Sequence, residues 1–296
     1  MLYKYCIADI VVSSDRDIAA QGVRGFAPFA IEDASAVSDT HIHFVEESHF
    51  VEDKIGIISK SFVSEANADG EFARTKRGYL YTIKGGDNTS STYFHIDATT
   101  LEITTNSAPQ NSLDVALLRF GLWMMFGVVL AQRGAIAVHS SVIECRGRGI
   151  LFLGESGTGK STHTRLWREH IEGATLLNDD SPIVRIVDGE ARVYGSPWSG
   201  KTPCYKSRYV PIAGFCRLSQ APHNAIRRLP TIAAIGALLP SCPPQYAHDE
   251  PLQDAICRTL SEMLRRVPAY HLECLPDAAA VRVSHDTILG DEYGVG

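Results

Sequence analysis

The sequence predicts a mixed α/β protein (α+β overall) with a β-rich N-terminal domain over residues 1–106 and an α/β domain over residues 107–296. Three observations predict it. Short β-prone runs with period-two character crowd the first hundred residues. The polar segment Asn106 to Asn111 (NSAPQN) then interrupts both strand and helix periodicity. Beyond it, strand-like and helix-like stretches alternate around one glycine-rich loop.

In chain order, the N-terminal strands are expected at Tyr3 to Val12, Thr40 to Val45, Lys54 to Ser59, Tyr79 to Ile83, Thr92 to Ile96 and Leu101 to Thr104, with a turn at Lys84-Gly85-Gly86-Asp87-Asn88. No catalytic motif stands out in this portion. His41 and His43 share a strand face with His49 nearby, but no carboxylate or cysteine stands at a recognised ligand spacing, so no metal is expected there.

Ser112 is expected to cap a helix from Leu113 to about Gln132. Leu113, Leu117, Phe120 and Met124 fall on one face, and Leu118, Leu122, Met125 and Val129 widen it. The greasiest stretch, Phe120 to Ala131, lies between Arg119 and Arg133 and is too short to span a bilayer, so it reads as a buried helix. Two apolar runs follow, Ala135 to Glu144 and Gly149 to Leu153, joined hairpin-fashion by Cys145-Arg146-Gly147-Arg148. A helix near Ser161 to His170 comes next, then strands near Ala174 to Leu177, Ser181 to Val187 and Arg192 to Tyr194. Asp249 is placed to cap a helix from Glu250 to Arg266. A strand at Tyr270 to Leu275 precedes a last helix opened by Pro276-Asp277.

Composition narrows the function classes. Hydrophobic residues make up 45% and charged residues 21%, with a mean hydropathy of −0.04, which excludes a disordered or collagen-like chain. Against 34 Asp+Glu stand 28 Lys+Arg, a net charge of −6. Nucleic acid and membrane surfaces are therefore not expected partners, although a local basic pocket for phosphate is compatible with that charge. The N-terminal MLYKYCIADIVVSSD lacks a signal-peptide pattern, and the seven cysteines form no C-x-x-C pair. Reduced thiols and a cytoplasmic location are expected.

Chemistry enters at Gly154-Glu155-Ser156-Gly157-Thr158-Gly159-Lys160-Ser161, which fits G-x-x-x-x-G-K-[ST] in full and is followed by Thr162. In such a loop the glycines turn backbone N–H groups toward phosphates, Lys160 reaches the β- and γ-phosphates, and the Ser161 hydroxyl can ligate Mg²⁺. The apolar strand before it and the helix after it are the context the motif needs. Two further spacings are unusual. The loop follows a hairpin, and the acidic strand end Leu176-Leu177-Asn178-Asp179-Asp180 arrives only nineteen residues after Lys160. A pair of carboxylates there can divide the work of holding Mg²⁺ and accepting a proton from an attacking hydroxyl; the bland alternative is a capped turn.

Val138-His139-Ser140, the hairpin, GESGTGKST and NDD together resemble the catalytic domain of the bacterial HPr serine kinase/phosphorylase family, whose P-loop topology is shared with ATP-dependent phosphoenolpyruvate carboxykinase. The similarity is specific from about Ala135 to Ile183, thins toward Leu275 and does not reach the N-terminal domain. The nearest kin it implies are the HPr kinase-like proteins associated with peptide modification. What the resemblance implies is a kinase that uses ATP and Mg²⁺. Lys160 would bind the transferred phosphate, Ser161 and Asp180 would hold the metal, Asp179 would be the base, and His139 would sit beside the γ-phosphate or the base. His139 rests on the resemblance alone, and the roles of Asp179 and Asp180 are interchangeable.

The family's second, glycine-rich signature is not evident. In its place stands Gly195-Ser196-Pro197-Trp198-Ser199-Gly200-Lys201-Thr202. Trp198 offers a stacking face and Lys201 a cation for the substrate, against the plain reading of a loop with a hydrophobic plug. Asn224, Arg227 and Arg228 form a possible phosphate clamp or, preferred, a solvated basic turn, with Arg227 the substrate candidate.

The leading expectation is a cytoplasmic kinase acting on a hydroxyl, either a serine of a peptide or protein or a small-molecule alcohol, with a homo-oligomer as a possible assembly. A nucleotide-binding regulatory or scaffold protein and a small carboxykinase-like lyase are the alternatives.

Overall fold

The structure, a computed structural model, describes residues 2–33, 35–47, 54–63, 68–85, 91–200 and 202–290. It is mixed α/β with extensive sheets, and it divides into two compact units: Met1–Arg133 with Gln245–Asp254, and Gly134–Pro244 with Ala255–Gly296.

The first unit is built on β1 (Tyr3–Ile7), β2 (Ile10–Ser14), β3 (Thr40–Phe44), β4 (Lys54–Val63), β5 (Ala68–Thr75), β6 (Gly78–Gly85), β7 (Ser91–Asp97) and β8 (Glu102–Thr105). Their order in the sheet is β1-β2-β3-β8-β7-β6-β5-β4. The strands from β4 to β8 form an antiparallel meander, while β3 runs parallel to both β2 and β8.

Helix α1 (Ser112–Gln132) follows. Its N-cap is Asn111, one residue before the expected Ser112: Asn111 is extended, and its side chain accepts from the N–H groups of Leu113 and Asp114. The helix belongs to the first unit. Phe120 meets Tyr81 of β6 edge-on, and Gly121 lies so close to Phe94 of β7 that a Cβ there would collide with the ring. The division of the chain thus falls after α1 and not in the polar segment before it, because packing against the sheet outweighs the local composition break. By length and composition alone α1 is also apolar enough to cross a membrane, since its hydrophobic stretch runs beyond the span marked by Arg119.

The second unit contains β9 (Ala135–Ala137), β10 (Ser140–Cys145), β11 (Arg148–Leu153), α2 (Lys160–His170), β12 (Thr175–Asp180), β13 (Ile183–Val187), β14 (Glu190–Tyr194), β15 (Tyr209–Gln220), β16 (Ala225–Arg228) and α3 (Thr231–Leu238). After α4 (Glu250–Leu264), which begins in the first unit, come β17 (Ala269–Cys274) and α5 (Ala278–Leu289). The sheet runs β12-β10-β11-β15-β14-β13-β9, with β17 beside β15 and β16.

Ala135 to Glu144 is not one strand. β9 pairs with β13, β10 pairs with β11 and β12, and Val138 and His139 form the break. Their N–H groups donate to the carbonyls of Pro182 and Ser241, at 2.9 and 2.7 Å. β15 and β16 lie where no strand was expected. Pro211 and Gly214 interrupt the β pattern in sequence, yet β15 runs parallel to β11 and β17 at the centre of the sheet. The core between this sheet and α2 and α5 includes Ile143, Phe152, Trp167, Cys216, Leu272 and Val281.

Candidate functional site

β11 delivers the chain into the glycine loop, and α2 leaves it. Gly157 and Gly159 have φ of 85° and 100°, the left-handed region where an L side chain is strained. Gly159 is the N-cap of α2 and no side chain caps that end, so the first-turn N–H groups and the positive end of the helix dipole face the loop. The His163 N–H already reaches back to the Gly159 carbonyl at 2.8 Å.

Lys160 folds over its own loop. Its ammonium donates to the carbonyls of Gly154 and Glu155, at 2.7 and 3.2 Å. Thr158 turns inward as well, its N–H and hydroxyl both donating to Glu155 O, and Gln220 donates to Gly157 O at 3.1 Å. Burial pushes the Lys160 ammonium below its ordinary pKa, the charges of Asp180 and Asp179 push back, and Arg217 adds to the lowering. The Lys160 ammonium is therefore influenced by both carboxylates and by a second cation.

Those carboxylates end β12, which pairs antiparallel with β10 so that Ser141 faces Asp179 and Ser140 faces Asp180. Asp179 is 7% exposed. Asp180 is more open and has φ of 129°, a backbone conformation rare for a non-glycine residue and one that costs energy to hold. Its carboxylate lies 3.2 Å from His139 Nδ1. The break between β9 and β10 is what frees His139 from the ladder to make this contact. On the other side of Asp179, the Ser141 hydroxyl donates to Thr164 Oγ1, which in turn donates to the Ser161 carbonyl, each at 3.2 Å. The first turn of α2 is thereby tied to the strand facing the carboxylates.

Asn178, Ser196 and Ser199 were not singled out from the sequence, yet they set the strand end. The buried Asn178 amide donates to the Trp198 carbonyl at 3.1 Å and accepts the Ser181 N–H at 3.0 Å. Ser196 donates to Ser181 O, and the Ser199 hydroxyl and Gly200 N–H donate to the Asp179 carbonyl. A carboxamide directly after two leucines in β12 (Leu176-Leu177-Asn178) was the available signal. Arg217 was missed for a different reason: it sits on β15, in register with Leu153, the last strand residue before the loop.

The substrate-side candidates take different places in the structure. Trp198 is 3% exposed, so its ring is a core plug and not an accessible stacking face. Lys201 lies outside the described residues. Arg227 lies on β16 and places Nη2 3.3 Å from His271 Nδ1, which accounts for it as part of the β16–β17 surface. Asn224 bonds Asp277, the N-cap of α5, and the Leu275 N–H, so that it organises a turn.

Beside the loop a cavity of about 600 Å³ is lined by Gly157, Thr162, Leu218, Gln220, Ala221 and Leu275, among others. His163 forms its inner wall, 3% exposed, packed edge-on against Phe152 and hydrogen-bonded within the Trp167–Ser284 cluster. Burial pulls its pKa from 6.5 down to about 4.

No family model matches the chain, and no curated protein matches it. Among solved structures, the HPr(Ser) kinase/phosphatase from Coxiella burnetii is similar at a TM-score of 0.31 and 12% identity, over 52% of this chain and 97% of that one. At so low a score the functional reading stands on this chain's own loop, strand end and histidine.

Proposed function

We propose that the protein is an ATP- and Mg²⁺-dependent kinase that transfers the γ-phosphoryl group to a hydroxyl, either a serine of a peptide or protein or a small-molecule alcohol. The observation that supports it above the others is the electrostatic meeting of Lys160 with the Asp179–Asp180 strand end at the uncapped N-terminus of α2.

The residues fit a nucleotide triphosphate with its metal. Left-handed glycines at 157 and 159 present the loop backbone, the uncapped helix end favours anionic oxygens, and the oxygen donors Ser161, Asp179 and Asp180 suit a hard cation. Bound there, Mg²⁺ would neutralise charge on the phosphates. Lys160 would exchange its bonds to Gly154 O and Glu155 O for phosphate oxygens. Asp179, held rigid through its carbonyl by Ser199 and Gly200, would orient the acceptor hydroxyl and take its proton. Asp180 would serve as metal ligand, with His139 holding its carboxylate. The cavity flanking Gly157 and Thr162 has room for the nucleoside. Catalysis of this kind is positioning and charge stabilisation more than covalent chemistry.

The deciding experiment incubates the protein with γ-labelled ATP, Mg²⁺ and libraries of serine peptides and polyols. Transfer to one of them, abolished in Lys160→Ala, is the expected result. Full transfer by Lys160→Ala would refute the assignment, and ATP binding without transfer to any hydroxyl would favour a regulatory nucleotide-binding role.

A further inference from the structure

The first unit holds a cluster that the kinase reading does not use. Parallel pairing of β2 with β3 sets Ser13 against His41 and Ser14 against Ile42. Side chains alternate along a strand, so Ser13 and Asp15 emerge on the same face as His41 and His43. Asp15 stands one residue beyond β2 with its N–H still donating to the Ile42 carbonyl at 3.1 Å. The fold thus brings to the two histidines a carboxylate that the linear spacing concealed.

Asp15 reaches both rings. Oδ1 lies 2.9 Å from His41 Nε2, and Oδ2 lies 3.2 Å from His43 Nδ1. The three donor atoms, one from each residue, all fall within 4.8 Å of one another, near enough for small side-chain shifts to bring them onto one ion with bonds of about 2.0–2.2 Å. The ring centroids are only 4.0 Å apart. Two imidazole nitrogens beside a carboxylate are a donor set that suits one cation placed among them.

The surrounding bonds hold the ligands in a binding pose. His41 Nδ1 lies 2.6 Å from Ser13 Oγ, and Ser13 Oγ donates to the Thr40 carbonyl at 3.4 Å. In the tautomer that donates Nδ1–H to Ser13 Oγ, the Nε2 lone pair is directed at the cluster, where an ion between it and Asp15 would replace their direct contact. The Phe44 N–H donates to Asp15 Oδ2 at 3.3 Å, fixing the carboxylate. The side chains of Asp15 and His43 are 38% and 41% exposed, so a hydrated ion has a way in.

We propose that Asp15, His41 and His43 bind a divalent transition-metal ion of the zinc class, with water completing the coordination. Imidazole nitrogens select such ions over Mg²⁺ and Ca²⁺, so this site is chemically separate from one that holds nucleotide-bound Mg²⁺, and it stands whether or not the protein is a kinase.

The test is calorimetric titration of the chelator-treated, reduced full-length chain with Co²⁺ in excess Mg²⁺, followed by competition with Zn²⁺. One Co²⁺ site that Mg²⁺ does not displace is expected. Asp15→Asn, His41→Gln and His43→Gln should each weaken it at least about tenfold, and Ser13→Ala should weaken it about tenfold while removing no ligand. Thermal melting supplies a second readout: Co²⁺ should raise the melting temperature of the wild type and leave that of His43→Gln, the most exposed ligand, unmoved. Absence of Co²⁺ binding, or binding and stabilisation equal in the wild type and His43→Gln, overturns the proposal.

Discussion

His139 and Asp180 meet with Nδ1 3.2 Å from Oδ1, and the contact exists because the chain breaks its strand at Val138 while Asp180 accepts a positive φ. Two backbone irregularities on adjacent segments therefore converge on one polar pair. Irregularity of that sort is costly and is commonly kept where a side chain must be aimed.

On the proposed kinase reading, the two aspartates divide into base and metal ligand. Asp179→Asn should lower kcat by about a hundredfold or more, the usual worth of a general base, with little change in nucleotide affinity. Asp180→Asn should instead raise the Mg²⁺ concentration needed for half-maximal rate. Steady-state kinetics over a Mg²⁺ titration separates the two, and the reverse pattern would exchange their roles.

Asn178 carries the geometry of that strand end. Its buried amide satisfies the Ser181 N–H and the Trp198 carbonyl at once. Asn178→Leu keeps the volume but takes the side-chain acceptor from the Ser181 N–H and one of two side-chain donors from the Trp198 carbonyl, which also accepts from Ser196 Oγ; a buried polar group that loses its partner costs about 1–3 kcal/mol. Urea denaturation should show a loss of about 1–3 kcal/mol, and on the proposed kinase reading phosphoryl transfer should fall further than stability explains because residues 196–200 brace Asp179 less firmly.

What the sequence disclosed follows from how local each signal is. The glycine loop is contiguous, so its place between β11 and α2 could be read directly. The apolar run of α1 was equally plain, but its allegiance was not: Phe120 against Tyr81 and Gly121 against Phe94 are tertiary facts, and no local composition foretells which sheet a helix will cover. β15 was hidden because Pro211 and Gly214 mimic a loop, and Arg217 was hidden with it. Trp198 looked available for the same reason, since a Gly-Ser-Pro-Trp segment reads as a surface turn until Asn178 is seen drawing it inward.

Gly121 tests the packing of α1. A methyl group there would run into the Phe94 ring, and overpacking of this kind costs about 1–3 kcal/mol. Gly121→Ala gains helix propensity of only about 1 kcal/mol, so a net loss in denaturant midpoint is expected. Phe94→Leu in the same chain should restore part of it, a non-additivity that a double-mutant cycle would expose.

His163 makes stability depend on acid. Its folded pKa of about 4 lies below the ordinary 6.5 because burial disfavours the imidazolium. Between those two values the unfolded chain binds a proton that the folded chain does not. The neutral-ring contribution is therefore fully present above about pH 6.5 and is lost progressively as pH falls toward 4. Each unit of separation is worth about 1.4 kcal/mol, so unfolding free energy at pH 4.5 should be lower than at pH 7 by about 2 kcal/mol from this residue alone. His163→Gln, which retains a polar side chain beside Ser284, should be less stable at pH 7 but should lose less between the two pH values. Urea unfolding of both proteins at each pH measures the difference, and parallel slopes would assign the acid sensitivity to other groups.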